Sequence, residues 1–158
     1  MNKTIITVYG RAAEGKSDTI KRLCRQIIST WPAAKVTTHD KQAIDYTHDI
    51  LLVIDIGITR IGIESQGDPN SRMIWADTIL QLADRTTNPD LGGCDLIVCA
   101  SRTEGMTVRK VDEVAQTFGY RTVWKSSYYT PDIRHDQINM ICAMEILETM
   151  KLIMLGAL

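Results

Sequence analysis

The sequence predicts an α/β domain of three layers, in which helices cover both faces of a mainly parallel sheet. Short apolar or β-branched runs alternate with amphipathic helical stretches along almost the whole chain. This alternation is typical of parallel strands that are joined by helical crossovers. Residues 50–56 and 61–64 are separated only by a short turn, so they predict a hairpin that adds one antiparallel strand to the sheet.

Each element follows from its own local pattern. Residues 4–9 are rich in β-branched side chains, and the helix that starts at Lys16 carries apolar residues at helical spacing until Pro32 ends it. A second helix is expected over residues 70–84 with Trp75 on its apolar face, and Thr107 is a candidate cap for a third. The predicted strands are 4–9, 35–39, 50–56, 61–64, 95–100 and 121–124, and the predicted helices are 16–31, 70–84, 107–118 and 135–155.

Composition limits the classes of protein that need consideration. The chain of 158 residues fits one domain, residues 1–158, and its net charge of −1 gives no sign of a nucleic-acid or membrane surface. The apolar C-terminal stretch is interrupted by Glu145, Glu148 and Lys151, which favours a core helix or a homo-oligomer interface over a membrane span. The four cysteines lack metal-site spacing, and the N-terminal apolar run is too short for a signal peptide. We therefore expect a cytoplasmic protein with buried thiols.

The most specific signal is a phosphate-binding motif at residues 10–17, which read GRAAEGKS. This run matches the pattern G-x-x-x-x-G-K-[ST], and it follows an apolar strand and opens an amphipathic helix, as the mechanism requires. Glycines let the backbone turn its N–H groups inward, and the helix directs its positive end at the same point. The residues expected to bind phosphate are Gly10, Ala13, Glu14, Gly15, Lys16, Ser17 and Asp18.

Through this motif the chain resembles the P-loop NTPase superfamily, although no subfamily is identified. The resemblance is specific over residues 4–31 and architectural over the rest. It implies that the chain binds ATP or GTP with Mg²⁺, that Lys16 contacts the β- and γ-phosphates, and that Ser17 ligates the metal. The guanine-recognition motif Asn-Lys-x-Asp is missing from the sequence, which lowers the expectation of a standard small GTPase.

The resemblance also implies an acidic residue that orders Mg²⁺ at the end of an apolar strand. Asp55 matches the simple pattern, but its strand should run opposite to the others, so Glu64 and Asp68 are preferred as metal residues. Glu64 is also a candidate catalytic residue. The alternative is that Glu64 is only an outward-facing residue of its strand. Asp68 has the alternative role of a helix cap before Pro69. Gln66 is a weaker candidate for orienting a water molecule.

A second loop at residues 101–105 should reach the same edge of the sheet, because it follows another buried strand. Arg102 is the candidate there for stabilising charge on the terminal phosphate. The expected activity is hydrolysis of ATP or GTP or transfer of the γ-phosphoryl group. A small-molecule or nucleotide kinase is one alternative, with residues 35–49 as the acceptor region. A non-hydrolysing nucleotide-dependent switch is the other.

Overall fold

Six strands and five helices alternate along residues 1–131 and 134–158, which the computed structural model describes. The strands are β1 (Thr4–Tyr9), β2 (Lys35–Thr38), β3 (Leu51–Ile56), β4 (Thr59–Glu64), β5 (Leu96–Ser101) and β6 (Arg121–Ser126). The helices are α1 (Lys16–Thr30), α2 (Arg72–Trp75), α3 (Thr78–Ala83), α4 (Met106–Phe118) and α5 (His135–Met154).

All six strands form one sheet in the order β2-β3-β4-β5-β1-β6. β1 lies between β5 and β6 and is parallel to both, and β4 is parallel to β5. β3 is antiparallel to β2 and to β4, so it alone among these strands runs in the opposite direction. The predicted α/β class with a mixed, mostly parallel sheet is confirmed.

The β3–β4 hairpin decides which residues share the functional edge of the sheet. Ile56 pairs with Thr59, so the turn contains only two residues, and the first of them, Gly57, has a φ of 59°. Leu51 pairs with Glu64 at the other end of the ladder. Because β3 runs backwards, the residues just before it lie at the same edge as the carboxyl ends of β1, β4 and β5.

Two apolar cores lie on opposite faces of the sheet. On one face, α1 and α5 pack against the sheet through fully buried side chains such as Ile20, Leu23 and Met150. On the other face, α3 and α4 contribute Ile79 and Val111 to the second core. Each large aliphatic side chain that is buried in this way contributes about 1.5–3 kcal/mol. The alternation of core side chains therefore fixes the sheet between two helical layers.

The prediction of one continuous helix over residues 70–84 is wrong. The segment forms the short helices α2 and α3, and between them Asp77 adopts a left-handed conformation with a φ of 53°. Aspartate tolerates this conformation better than most residues, and an ion pair of 3.3 Å with Lys110 holds its carboxylate. Trp75, which the sequence placed on the apolar face of that helix, ends α2 with 75% of its surface exposed.

Thr107 is not the cap that the sequence suggests. α4 begins one residue earlier, after Gly105, whose φ of 93° falls in a region that favours glycine. Thr107 is buried inside the first turn instead, and its hydroxyl accepts a hydrogen bond of 3.0 Å from the backbone N–H of Arg102. This bond ties the loop after β5 to the start of α4.

All four cysteines lie in the described part of the chain, and each is buried and outside any disulfide. Burial raises the pKa of Cys24 to about 11, despite a hydrogen bond from Tyr46 that acts in the other direction. These thiols therefore stay protonated at neutral pH and act as small apolar core groups. Within residues 1–131 and 134–158, none of the helices combines the length and the hydropathy needed to cross a membrane.

Candidate functional site

A cavity of about 780 Å³ opens at the edge of the sheet where β1, β4 and β5 end. Four segments line it: the loop and first helical turn after β1 together with Lys21, Asp49 ahead of β3, the stretch after β4, and the end of β5 with the loop that follows it. The lining residues include Ala13 to Asp18, Lys21, Asp49, Ser65 to Ser71, Trp75, Ala100 and Arg102. Ligands of open α/β sheets bind at this position, outside the carboxyl ends of the strands.

The 10–17 loop is fixed by contacts that its sequence makes possible. Arg11 donates its backbone N–H to the carboxylate of Glu14 at 2.7 Å, which closes the loop on itself. Ala13 and Gly15 both have positive φ, of 58° and 77°. A side chain at Gly15 would also collide with the amide of Asn139 on α5 and would have to displace it, so glycine suits the position in space as well as in conformation.

Lys16 is the first residue of α1, and its side chain contacts the backbone of this loop. Its ammonium group donates to the backbone oxygens of Gly10 at 3.1 Å and Arg11 at 2.6 Å, and only 7% of the residue is exposed. Burial lowers the pKa of Lys16, and the charge of Asp68 offsets this only in part while the charge of Arg102 adds to it. The site therefore holds a partly desolvated cation that an anionic ligand would stabilise.

Ser17, Asp49 and Ser65 form a hydrogen-bonded group beside Lys16. The hydroxyl of Ser17 donates to Oδ1 of Asp49 at 2.5 Å, and the hydroxyl of Ser65 donates to the same oxygen at 2.7 Å. Ser65 in turn accepts the backbone N–H of Ile50 at 2.8 Å. The start of α1 is thereby joined to the start of β3 and the end of β4.

Neighbouring hydrogen bonds and positive charges stabilise the negative charge of Asp49. Its burial would raise the pKa, but the hydrogen bonds from Ser17 and Ser65, with the nearby charges of Lys21 and Arg72, outweigh burial and lower it. Asp49 is therefore an anion at neutral pH that lies next to the hydroxyl at the helix start. Sequence reasoning missed this residue because it looked for acids at the ends of strands, whereas Asp49 precedes a strand that runs backwards.

Glu64, which the sequence proposes as a metal and catalytic residue, does not line the cavity. It is fully buried, and its carboxylate accepts two hydrogen bonds from the guanidinium of Arg72, at 2.9 and 3.0 Å. The hydroxyl of Thr78 and the backbone N–H of Gln66 donate to it as well, at 2.7 and 2.9 Å. Because four donors bind it, the carboxylate has a structural role and holds the surrounding segments together.

Asp68 and Arg102 do line the cavity, on the loops after β4 and β5. Nε of Arg102 donates to Asp68 at 2.6 Å, and both side chains are partly exposed, at 32% for Arg102 and 60% for Asp68. The two loops that the sequence assigned to this edge therefore meet across the cavity from Lys16. Ion pairs with this exposure are weak, at about 0–1 kcal/mol, so a stronger anion could replace Asp68 as the partner of Arg102.

Two further sequence candidates, Asp55 and Gln66, are held by other contacts. Asp55 pairs in register with Arg60 near the turn of the hairpin, and the two side chains form an ion pair of 3.3 Å. This is the edge of the sheet opposite to the cavity, so the topology separates Asp55 from Lys16. Gln66 lines the cavity, but its amide oxygen accepts the backbone N–H of Arg72 at 3.0 Å, which holds the start of α2.

A scan of protein-family models, a search of curated proteins and a search of solved structures find no match to this chain. Among the residues that the structure describes, no group of three or more histidine, cysteine, aspartate and glutamate side chains is arranged to hold a metal ion. The functional interpretation therefore depends on the geometry of the cavity.

Proposed function

We propose that this chain binds a nucleoside triphosphate, ATP or GTP, together with Mg²⁺ and transfers or hydrolyses the γ-phosphoryl group. The observation that carries the proposal is the bond of 2.5 Å between Ser17 and Asp49, beside the buried Lys16 at the start of α1. A hydroxyl, a carboxylate and a desolvated lysine at the start of a helix form the arrangement that the resemblance to P-loop NTPases implies. It is also a chemical fit to a metal-bound polyphosphate.

The phosphate groups would bind at the 10–17 loop and the first turn of α1. The first backbone N–H groups of a helix have no partner within the helix, and the helix dipole places partial positive charge on them. Lys16 adds a full charge, and its present acceptors are backbone oxygens of Gly10 and Arg11. A phosphate oxygen is a stronger acceptor than these carbonyls, so binding would draw the ammonium group toward the ligand.

Ser17 and Asp49 fit the requirements of Mg²⁺. A hydroxyl has one hydrogen to donate and two lone pairs, so Ser17 can donate to Asp49 and still present a lone pair to a cation. Mg²⁺ usually keeps several waters and takes only one or two protein groups besides the phosphates. When bound, the ion would neutralise charge on the β- and γ-phosphates. Asp49, rather than Glu64, would then orient the hydroxyl and the metal-bound water.

Arg102 would stabilise charge on the terminal phosphate. It reaches into the cavity from the loop after β5, and its partner Asp68 is more than half exposed. Phosphate accepts the two parallel hydrogen bonds of a guanidinium, so Arg102 can exchange Asp68 for the ligand at little cost. The released Asp68 would face the terminal phosphate and the molecule that receives the phosphoryl group.

Phosphoryl transfer to an acceptor is favoured over rapid hydrolysis by the state of two side chains. Gln66 is the sequence candidate for orienting water and Glu64 is a candidate catalytic residue, and both are held by Arg72. The acceptor would bind along residues 65–71 and Trp75, which line the cavity. The sequence suggested residues 35–49 as the acceptor region. All of these residues are described, and among them Asp49 alone lines the cavity. A switch that turns over slowly is the second candidate, because the same two side chains are unavailable to water.

A turnover assay with a matched lysine control tests the proposal. The wild-type chain with Mg²⁺ should release nucleoside diphosphate from ATP or GTP, and release should rise with a suitable acceptor. Lys16→Met should abolish release, whereas Lys35→Met, at an exposed position on β2, should leave it unchanged. Binding without release under any condition would select the switch. Release that survives Lys16→Met would contradict the proposed site.

A further inference from the structure

Trp75 is the most exposed large ring at the cavity. It is the last residue of α2, it lines the cavity, and 75% of its surface is open to solvent. Tryptophan is among the residues that proteins use to bind flat ligands, since its ring offers a large apolar face at a small cost in conformational entropy. An indole in this position is unusual for a surface residue that has only a structural role.

A buried ion pair holds the short helix that carries Trp75. Arg72, at the start of α2, donates from Nε and Nη2 of its guanidinium to the fully buried Glu64. A buried pair of this kind contributes little net stability, because desolvation offsets most of the attraction. Its geometric effect is larger, since it fixes α2 against the end of β4.

The other contacts of α2 complete the support. Met73 is fully buried in the core on the α3–α4 face, and Gln66 accepts the backbone N–H of Arg72. At the far end, the left-handed Asp77 ends the segment and pairs with Lys110 of α4. A helix of four residues is thus fixed at its start, its inner side and its end. The side chain that this support presents to the cavity is the indole of Trp75.

We infer that Trp75 is a stacking platform for the phosphoryl acceptor, and that this acceptor carries a planar heteroaromatic ring of the nucleoside class. The inference rests on the proposed function. The same segment carries Asp68, whose partner Arg102 we assign to the terminal phosphate, so a ring on Trp75 would lie beyond that phosphate. Asn70 also lines the cavity, and its amide offers the paired donor and acceptor that suit the edge of a base.

The transfer that such an acceptor would undergo is balanced without a further reactant. The oxygen of an acceptor hydroxyl bonds to the γ-phosphorus, and the bond from that phosphorus to the β,γ-bridging oxygen breaks. The nucleoside diphosphate leaves with that electron pair, and the hydroxyl proton is released to water. Trp75 takes no part in these bond changes. It positions the ring, so it is a binding residue rather than a catalytic residue.

The test measures nucleoside binding in the presence of a bound triphosphate analogue. Adenosine, guanosine, cytidine and thymidine would be titrated into the full chain with Mg²⁺ and a non-hydrolysable triphosphate, and followed by tryptophan fluorescence and equilibrium dialysis. We expect at least one nucleoside to bind saturably. Trp75→Ala should weaken its binding by about 5- to 150-fold, the equivalent of about 1–3 kcal/mol of stacking. Trp75→Phe should restore most of it, and Trp124→Ala, at an exposed position on β6, should bind as the wild type does.

The outcomes separate the two proposals. If the analogue binds but no nucleoside does, or if Trp75→Ala binds the nucleoside as well as the wild type does, the platform is refuted. Quenching of Trp75 by the triphosphate analogue, but not by inorganic tripolyphosphate, would place the base of the triphosphate itself on the ring and would also overturn the inference. Nucleoside binding that depends on Trp75 while the analogue fails to bind would refute the proposed function and keep the platform.

Discussion

Replacing Glu64 by glutamine distinguishes a structural carboxylate from a metal ligand. The substitution preserves the volume of the side chain but removes its charge, and it directs an amide donor toward donors from Arg72 and Thr78. Removing one partner of a buried ion pair costs about 3–5 kcal/mol. Because the side chain of Arg72 is 14% exposed and water can reach it, we expect a loss at the lower end, about 3 kcal/mol.

This loss should be visible in both chemical and thermal unfolding. For a domain of this size, 1 kcal/mol corresponds to roughly 2–4 °C, so Tm should fall by about 6–12 °C. The urea midpoint should fall without a change in m. Glu148→Gln is the matched control, since Glu148 is 67% exposed and pairs only with Lys151 in the described structure. That change should cost less than about 0.5 kcal/mol.

One result would refute this reasoning. If Glu64→Gln left the free energy of unfolding within about 0.5 kcal/mol of wild type and yet removed Mg²⁺-dependent nucleotide binding, Glu64 would be the metal residue that the sequence suggested. The assignment of that role to Asp49 would then be wrong.

Three further predictions concern the 10–17 loop and its acidic partner. Lys16→Met should change the free energy of unfolding by less than about 1 kcal/mol, because it removes a desolvated charge along with two hydrogen bonds; a ligand-free protein that no longer folds would contradict this. Asp49 should stabilise the fold fully above its ordinary pKa of 3.8, and this contribution should fade as pH drops through the lower pKa of the folded state. The difference in unfolding free energy between wild type and Asp49→Asn should therefore stay nearly constant from about pH 7 to about pH 4 and shrink at lower pH, and a difference that stays constant at lower pH as well would refute the lowered pKa. Ala13→Gly should stabilise the chain by up to about 1 kcal/mol. A left-handed alanine costs about 1–2 kcal/mol, and the greater entropy of the unfolded chain with glycine offsets about 0.4–1 kcal/mol of the gain from removing it. Ala12→Gly, at a position without positive φ, should instead destabilise it by about 0.4–1 kcal/mol in urea unfolding, and equal effects at the two positions would count against the loop geometry.

The strand–loop–helix unit around Lys16 could be predicted from the sequence because its signals are local. The apolar run of β1, the glycines of the loop and the apolar face of α1 lie within about thirty residues of one another. The hairpin of β3 and β4 could be predicted for the same reason. A two-residue turn fixes the direction of β3, and this direction was sufficient to separate Asp55 from the cavity.

The remaining parts of the site depend on contacts between distant residues. Asp49 meets Ser17 across 32 positions, and only the register of the sheet brings them together. The partners of Glu64 come from a segment whose helical pattern appeared continuous, so the break at Asp77 could not be inferred from periodicity. A continuous amphipathic helix would also have placed Trp75 on its apolar face, so its exposure could not be predicted either. Tertiary contacts of this kind override local propensity.

Thermal unfolding with and without a nucleoside triphosphate and Mg²⁺ tests the central claim most directly. A ligand that binds only the folded state at about one hundred times its Kd adds about 2.7 kcal/mol, which corresponds to a rise of roughly 5–11 °C in Tm for this domain. We predict such a rise for ATP or GTP, dependent on Mg²⁺ and lost in Lys16→Met and Ser17→Ala. The absence of a shift with any triphosphate, or an equal shift in both variants, would contradict the proposed nucleotide site.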